Sequence, residues 1–317
     1  MSGDGCRVAL ASFVAGSLLA GGNAVGVRFS NRELAPLWGA GLRFSLAAAL
    51  LVVVMAVLRL GLPRGRALTG ALLYGLFNFG ASFGLIYYGF VHVHAGFGQT
   101  LLALVPLATL LLAVIQGQER LRLAAVAGTL LALLGVGLMS RAPFRDAVPL
   151  SSLLAVLGGA LCFAEAAVLV RRFPRVHPVT MNAVGMATGG LVLVAGSVLL
   201  GEPLVLPRRP ETWIAVGYLV AVGSVLVFVL YLVVLRHWAA SRAAYTFVLI
   251  PFVTVVLSAW LDDEPVNAGL VLAGLLVLAG VYVGALRPAR LPPTPAWLVP
   301  GLPRRRHGGP HPRDTVS

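Results

Sequence analysis

The chain has 317 residues, 59% of them hydrophobic and only 11% charged, with a mean hydropathy of +0.92. A soluble domain so composed would have almost nothing polar to show water, so composition excludes one and leaves an integral membrane protein. The formal charge of +13 rests on 24 basic residues, all arginine, that bracket apolar runs instead of clustering on one face, which argues against a nucleic-acid binder.

Arg7 and the apolar run from Val8 to Val27 have the flank of a secretory signal. At about twenty residues, with no small-residue cleavage site, the run reads as a first membrane helix instead. Further spans long enough to cross ~30 Å of hydrocarbon fall at 34–58, 68–91, 94–115, 122–140, 150–170, 179–200, 211–235, 239–261 and 267–286, ten in all. The loops between them are too short for a soluble domain, so function is expected inside the bundle. Residues 287–317 carry eight Pro and six Arg and are expected as a disordered cytoplasmic tail, compatible with weak attraction to anionic lipid heads. Cys6 and Cys162, one in the N-terminal tail and one inside a span, are not expected to pair.

With the N-terminus inside, the cytoplasmic segments hold Arg7, Arg59, Arg64, Arg66, Arg120, Arg122, Arg171, Arg172, Arg175, Arg236 and Arg242, plus six in the tail. The opposite side holds Arg28, Arg32, Arg141, Arg145, Arg208 and Arg209, and Arg43 lies within a span. Even without the tail the balance is 11 to six, so both termini are expected in the cytoplasm of a multi-pass plasma-membrane protein.

The chain also repeats at an offset of 145 residues. Pro106, Thr109, Leu112, Glu119, Leu130, Leu131, Leu133, Gly135 and Val136 recur as Pro251, Thr254, Leu257, Glu264, Leu275, Leu276, Leu278, Gly280 and Val281. Five spans per copy start the second copy on the opposite side of the membrane, so the expectation is an all-α fold of ten helices in two five-helix inverted repeats. The repeats are 1–141 and 149–286, followed by the tail. Glu119 and Glu264 are expected to cap or pair locally and to mark ancestry more than a site.

Several segments together resemble the EamA domain of the drug/metabolite transporter superfamily. They are Gly22-Asn23 with Arg28, Pro36 and Arg43-Phe44; Pro106 through Glu119-Arg120-Leu121 to Gly128 and Gly135; and Pro251 through Glu264 to Gly280. The likeness covers residues 8–286, with Gly21 where the family usually carries Trp and Pro265 after the second Glu. It implies a ten-helix carrier working by alternating access, often an exporter of amino acids, nucleosides or other small metabolites, with no catalytic signature to carry across. Without a Walker A sequence, any accumulation would draw on a gradient of protons or another coupling ion, the alternative being simple facilitated transport. The competing expectations are a membrane-embedded enzyme acting on lipid or peptide and a non-transporting subunit.

Six residues are the candidate substrate or coupling groups. Glu165 lies six residues before Arg171, ~9 Å inside the membrane. It is read either as a cavity carboxylate that couples a proton or binds a cationic group, or as the partner of Arg43 or of interfacial water. Arg43, ~14 Å deep, has the geometry to grip a substrate carboxylate bidentately, although a structural role between helices is the plainer reading. Asn23, Asn78, Gln99 and Tyr245 are favoured among the polar groups in spans, a set that also includes Asn182, Tyr87, Tyr88, Tyr218 and Tyr231. The glycine pairs Gly22/Gly26, Gly80/Gly84, Gly185/Gly189 and Gly280/Gly284 read as packing features. Gly80 to Gly84 also matches a hydrolase nucleophile pattern, by chance if Ser82 sits in a membrane helix. His92 and His94 read as solvated loop residues, and no metal or cofactor is expected.

Overall fold

The computed structural model describes residues 3–90, 101–102, 104–139, 149–250, 253, 272, 275–276, 278–280 and 282–286. Every regular element among them is helical, as hydrocarbon demands, because a helix satisfies its own backbone groups. In chain order the α-helices are α1 (Gly3–Gly21), α2 (Asn23–Ser30), α3 (Pro36–Val57), α4 (Arg66–Gly75), α5 (Ser82–Phe90), α6 (Val105–Ile115), α7 (Leu123–Met139), α8 (Leu150–Leu169), α9 (Pro178–Leu199), α10 (Pro210–Val220), α11 (Val227–His237) and α12 (Ala240–Ala243). Proline opens α3, α9 and α10, where its missing N–H costs nothing.

Five stretches among the described residues are long and apolar enough to cross a membrane: Pro36–Val57, Arg66–Gly89, Leu150–Arg172, Pro178–Leu199 and Pro210–His237. Four shorter apolar helices, Arg7–Gly21, Val105–Ile115, Leu123–Gly135 and Ala240–Ile250, fall in turn on other expected spans. Most of 251–281 and all of 287–317 lie outside the described residues.

The first span is longer than hydropathy suggests, running from Gly3 to Ser30 with a break at Gly22. At the break the Tyr218 hydroxyl donates to the Leu19 carbonyl over 2.7 Å. It occupies the place that a Cβ on residue 22 would need. A side chain inserted into the helical ladder in this way is a sufficient cause for the interruption.

Among the described residues two spans carry π-helical turns between their α-helical parts, Leu76–Ala81 between α4 and α5 and Ala221–Leu226 between α10 and α11, and a further π-helical stretch covers Tyr282–Leu286. The first two are each six residues long, and the second lies at the repeat offset from the first. The duplication seen in sequence over α6 and α7 therefore extends to the backbone of the third helix in each half.

The packing of α3 against α9 fixes how the halves are related. A Cβ on Gly190 would lie 2.9 Å from Ser45 Oγ, and one on Gly41 would lie 2.8 Å from Val194 Cγ2. As one residue number rises by four the other falls by four, so the two helices run antiparallel. Residue 190 is the repeat equivalent of 45, so this contact sits on the pseudo-two-fold axis. An axis that exchanges antiparallel helices must lie across them, in the membrane plane, which is the geometry of inverted repeats.

A second type of crossing recurs as well. The α5–α8 contact closes through Gly89 and Gly159, with Ser82 Oγ donating to the Gly159 carbonyl over 2.9 Å. Ser82 is thus a buried helical residue and not a nucleophile on an elbow. Their equivalents, α11 and α1, pack in the same way, with Phe13 and Trp238 rings 5.2 Å apart. The glycine pairs serve close approach as expected: Gly22 meets Tyr218, Gly26 meets Leu219, Gly189 meets Phe79, and Gly280 and Gly284 meet Gly128.

Polar ties close the two ends of the bundle. At the arginine-rich end Glu119 accepts from Ser241 Oγ (2.5 Å) and Ser241 N (3.3 Å), Arg172 donates to the Gln116 carbonyl (3.1 Å), and Arg171 donates to the carbonyls of Leu235 and Trp238. Glu119 is therefore not paired locally. It crosses from the first half to cap the start of α12 in the second, because the exposed amides at a helix N-terminus favour a carboxylate. At the far end Glu202 accepts from Leu37 N (3.2 Å) and Trp38 N (2.8 Å) in the first turn of α3, and Glu33 accepts from Arg208 N and Arg209 N, each at 3.2 Å. These ties place Arg171 and Arg172 at one end and Arg208 and Arg209 at the other.

Candidate functional site

The π-turn at Ala221–Leu226 breaks the regular ladder of carbonyl acceptors, and two residues from the first half engage it. Arg43 donates from Nε to Ser224 Oγ (2.7 Å) and from Nη2 to the Gly223 carbonyl (3.0 Å). Asn23 Nδ2 reaches the same carbonyl at 3.4 Å. The Arg43 guanidinium, only 2% exposed, lies 5.1 Å from the Phe44 ring centroid and 5.6 Å from that of Phe83, with the Tyr87 side chain in hydrogen-bonding reach. Hydrogen bonds and ring faces offset part of the cost of placing a cation this deep. No carboxylate among the described residues pairs with it, so its charge is solvated by dipoles.

Beside this clasp lies a second group of buried polar side chains. Asn78, in the first π-turn, is fully buried, and neither its Oδ1 nor its Nδ2 has a partner. Tyr74 OH donates to Asn182 Oδ1 at 3.5 Å, which leaves Asn182 Nδ2 and the nearby Tyr231 OH without partners. Aromatic rings connect the two groups: Phe44 to Phe79 at 5.0 Å, Phe79 to Phe228 at 4.8 Å, Phe79 to Tyr74 at 5.6 Å, and Phe163 to Tyr231 at 5.6 Å. Unpartnered amide and hydroxyl groups in a water-poor interior are costly, and a polar ligand would satisfy them.

The other sequence candidates go elsewhere. Glu165 is half-buried and accepts from Gln116 Nε2 at 2.7 Å, joining α8 to the end of α6. It does not pair with Arg43, because the guanidinium is engaged at the π-turn. Tyr245 OH donates to the Ala125 carbonyl (2.8 Å), shares a bond with Thr129 Oγ1 (3.0 Å) and abuts Gly284, so it ties helices together. Gln99, His92, His94 and Glu264 lie outside the described residues. Ser224, Tyr74 and Gln116 are the site and tie residues that sequence reasoning missed, while Asn182 and Tyr231 stood among its polar groups without being favoured. Among the described residues no group of three or more His, Cys, Asp or Glu side chains could hold a metal.

Comparison with known proteins gives this arrangement its context. A model of the EamA-like transporter family matches the chain twice, over residues 7–141 and 150–285. The uncharacterized inner membrane transporter YedA of Escherichia coli (strain K12) is 27% identical, over 84% of this chain and 89% of its own length. A probable terminal-alkyne amino-acid exporter of Streptantibioticus cattleyicolor is 27% identical over 76% of this chain and 81% of its own. A solved crystal structure, 21% identical, superposes with a TM-score of 0.74 over 88% of this chain and 96% of that one, a likeness of fold. With buried polar groups inside a duplicated bundle, the protein is a multi-pass membrane transporter with a small-molecule cargo. Both halves of the chain belong to the EamA-like transporter family.

Proposed function

We propose that the chain is a secondary carrier that exports a small carboxylate-bearing metabolite, such as an amino acid, across the plasma membrane by alternating access, with both termini in the cytoplasm. The observation that carries this reading is Arg43, a buried cation without a carboxylate partner among the described residues, held by the opposite repeat close to the axis that relates the halves. A fork of guanidinium donors matches a carboxylate, while Asn78, Asn182 and Tyr231 offer unpartnered groups to the remainder of a polar cargo. The exporter among its relatives supports the class and direction. Glu165 is the proposed carboxylate for a coupling proton, since it sits half-buried at the arginine-rich end.

Counterflow of labelled amino acids in proteoliposomes tests both points. A carrier exchanges label across the sealed membrane, and the Glu165→Gln protein is expected to exchange with a flattened pH dependence. Product formation without exchange would make the chain an embedded enzyme, and an unchanged pH profile in the Glu165→Gln protein would remove its coupling role.

A further inference from the structure

A separate pocket of about 130 Å³ opens at the arginine-rich end, between the turn that follows α8 and the last turns of α11. Arg171 and Arg175 from the turn and Arg236 from α11 line it, above an apolar floor that includes Met181, Leu232 and Leu235. No acidic side chain is among its lining residues.

The three arginines differ in how they are held. Arg171 is braced on the carbonyls of Leu235 and Trp238, and Arg236 on that of Val176, so each is fixed as a wall. Arg175 makes no hydrogen bond or ion pair among the described residues, is exposed, and lies close enough to Arg236 for the two charges to repel. Arginines that only set membrane orientation need no convergence; they can fan out into water. Three that converge on one cavity, two of them fixed in place, make an unfavourable arrangement that an anion would relieve.

We propose that this pocket is an oxyanion site that takes one phosphate group, with Arg175 as the mobile donor closing over it and Arg171 and Arg236 as its preset walls. The apolar floor suits the glycerol and first methylenes of an anionic phospholipid, and the cavity also admits a free phosphate. The site is distinct from Arg43, so it stands or falls independently of the transport reading.

The test uses the purified full-length chain in neutral detergent, titrated with phosphatidylglycerol, with phosphatidylcholine and with inorganic phosphate. Thermal midpoint and bound lipid by native mass spectrometry are read for the wild type, Arg175→Gln and Arg175→Lys. Phosphatidylglycerol is expected to bind and raise the midpoint, Arg175→Gln to bind it about tenfold more weakly, Arg175→Lys to retain most of the binding, and phosphatidylcholine to have no such effect. Stabilisation by inorganic phosphate with the same dependence on residue 175 would assign the site to a free anion, and its absence would assign it to the lipid head. Equal binding of both anions by wild type and Arg175→Gln would overturn the proposal. Because Arg175 holds no structural bond, the ligand-free midpoint of Arg175→Gln should match that of the wild type.

Discussion

A guanidinium at the depth of Arg43 is tolerable because two donors are fixed on Ser224 and Gly223 and its face lies near Phe44 and Phe83. Lysine keeps the charge but cannot reach both acceptors at once. Arg43→Lys is therefore expected to lose about 1–3 kcal/mol, seen as a lower thermal midpoint in detergent, in addition to weaker transport. A variant with an unchanged midpoint and only a raised KM would mean that Arg43 serves cargo alone. Asn23 and Arg43 could be picked out from sequence because an amide and a cation are rare in such spans. Ser224 could not, since a hydroxyl in an apolar helix usually bonds its own ladder, as Ser17, Thr109, Thr129 and Thr188 do here with the carbonyl four residues back. Nothing local distinguishes those hydroxyls from one that serves an arginine 181 residues away.

At the scale of elements, the paired π-turns at Leu76–Ala81 and Ala221–Leu226 are what hydropathy could not foresee. An apolar window reports length and greasiness, and one residue more in a turn changes neither. The five described stretches of membrane-crossing length, by contrast, could be drawn from sequence because each needs a long run with few charges. A Cβ at residue 223 would run into Asn23 Oδ1 and stand 3.3 Å from Arg43 Nη2, whereas one at Gly217, a turn and a half earlier, would meet nothing within 4 Å. Gly223→Ala should then cost about 1–3 kcal/mol through overpacking, while Gly217→Ala should be neutral or stabilise by up to ~1 kcal/mol through helix propensity. Thermal midpoints of the two variants check this, and similar values would show that the second π-turn yields freely.

For the whole molecule, the far end is held by a titratable clasp. The Thr212 side chain, the Arg209 and Arg208 amides and the Arg209 guanidinium together hold the Glu33 carboxyl below its usual value, against a smaller opposing effect of desolvation. A carboxyl whose folded value is depressed contributes stability above its unfolded value and loses it as pH falls through the folded one. The clasp is therefore intact at neutral and mildly acidic pH, and loosens only on acidification through the lower end of the carboxylate range. The thermal midpoint of Glu33→Gln should be lower than that of the wild type near neutrality and should converge with it in strong acid. Parallel curves would leave the clasp without a role. The inverted relation of the halves was legible from span counting and the 145-residue offset, whereas the position of the axis required the meeting of Ser45 with Gly190.

Under the alternating access proposed above, that contact has an energetic corollary. Exchanging the conformations of two equivalent halves turns one facing state into the other, so contacts on the axis weigh equally in both and a perfectly symmetric chain would divide its time evenly. Any bias must come from pairs that differ. Arg43 holds the second π-turn, but its equivalent, Thr188, gives its hydroxyl to the Val184 carbonyl and offers the first π-turn no cation. Each 1.4 kcal/mol of difference between the two clasps shifts the ratio of the facing states about tenfold. In the proposed mechanism, one arginine without a counterpart is thus enough to set which side of the membrane the empty carrier waits on.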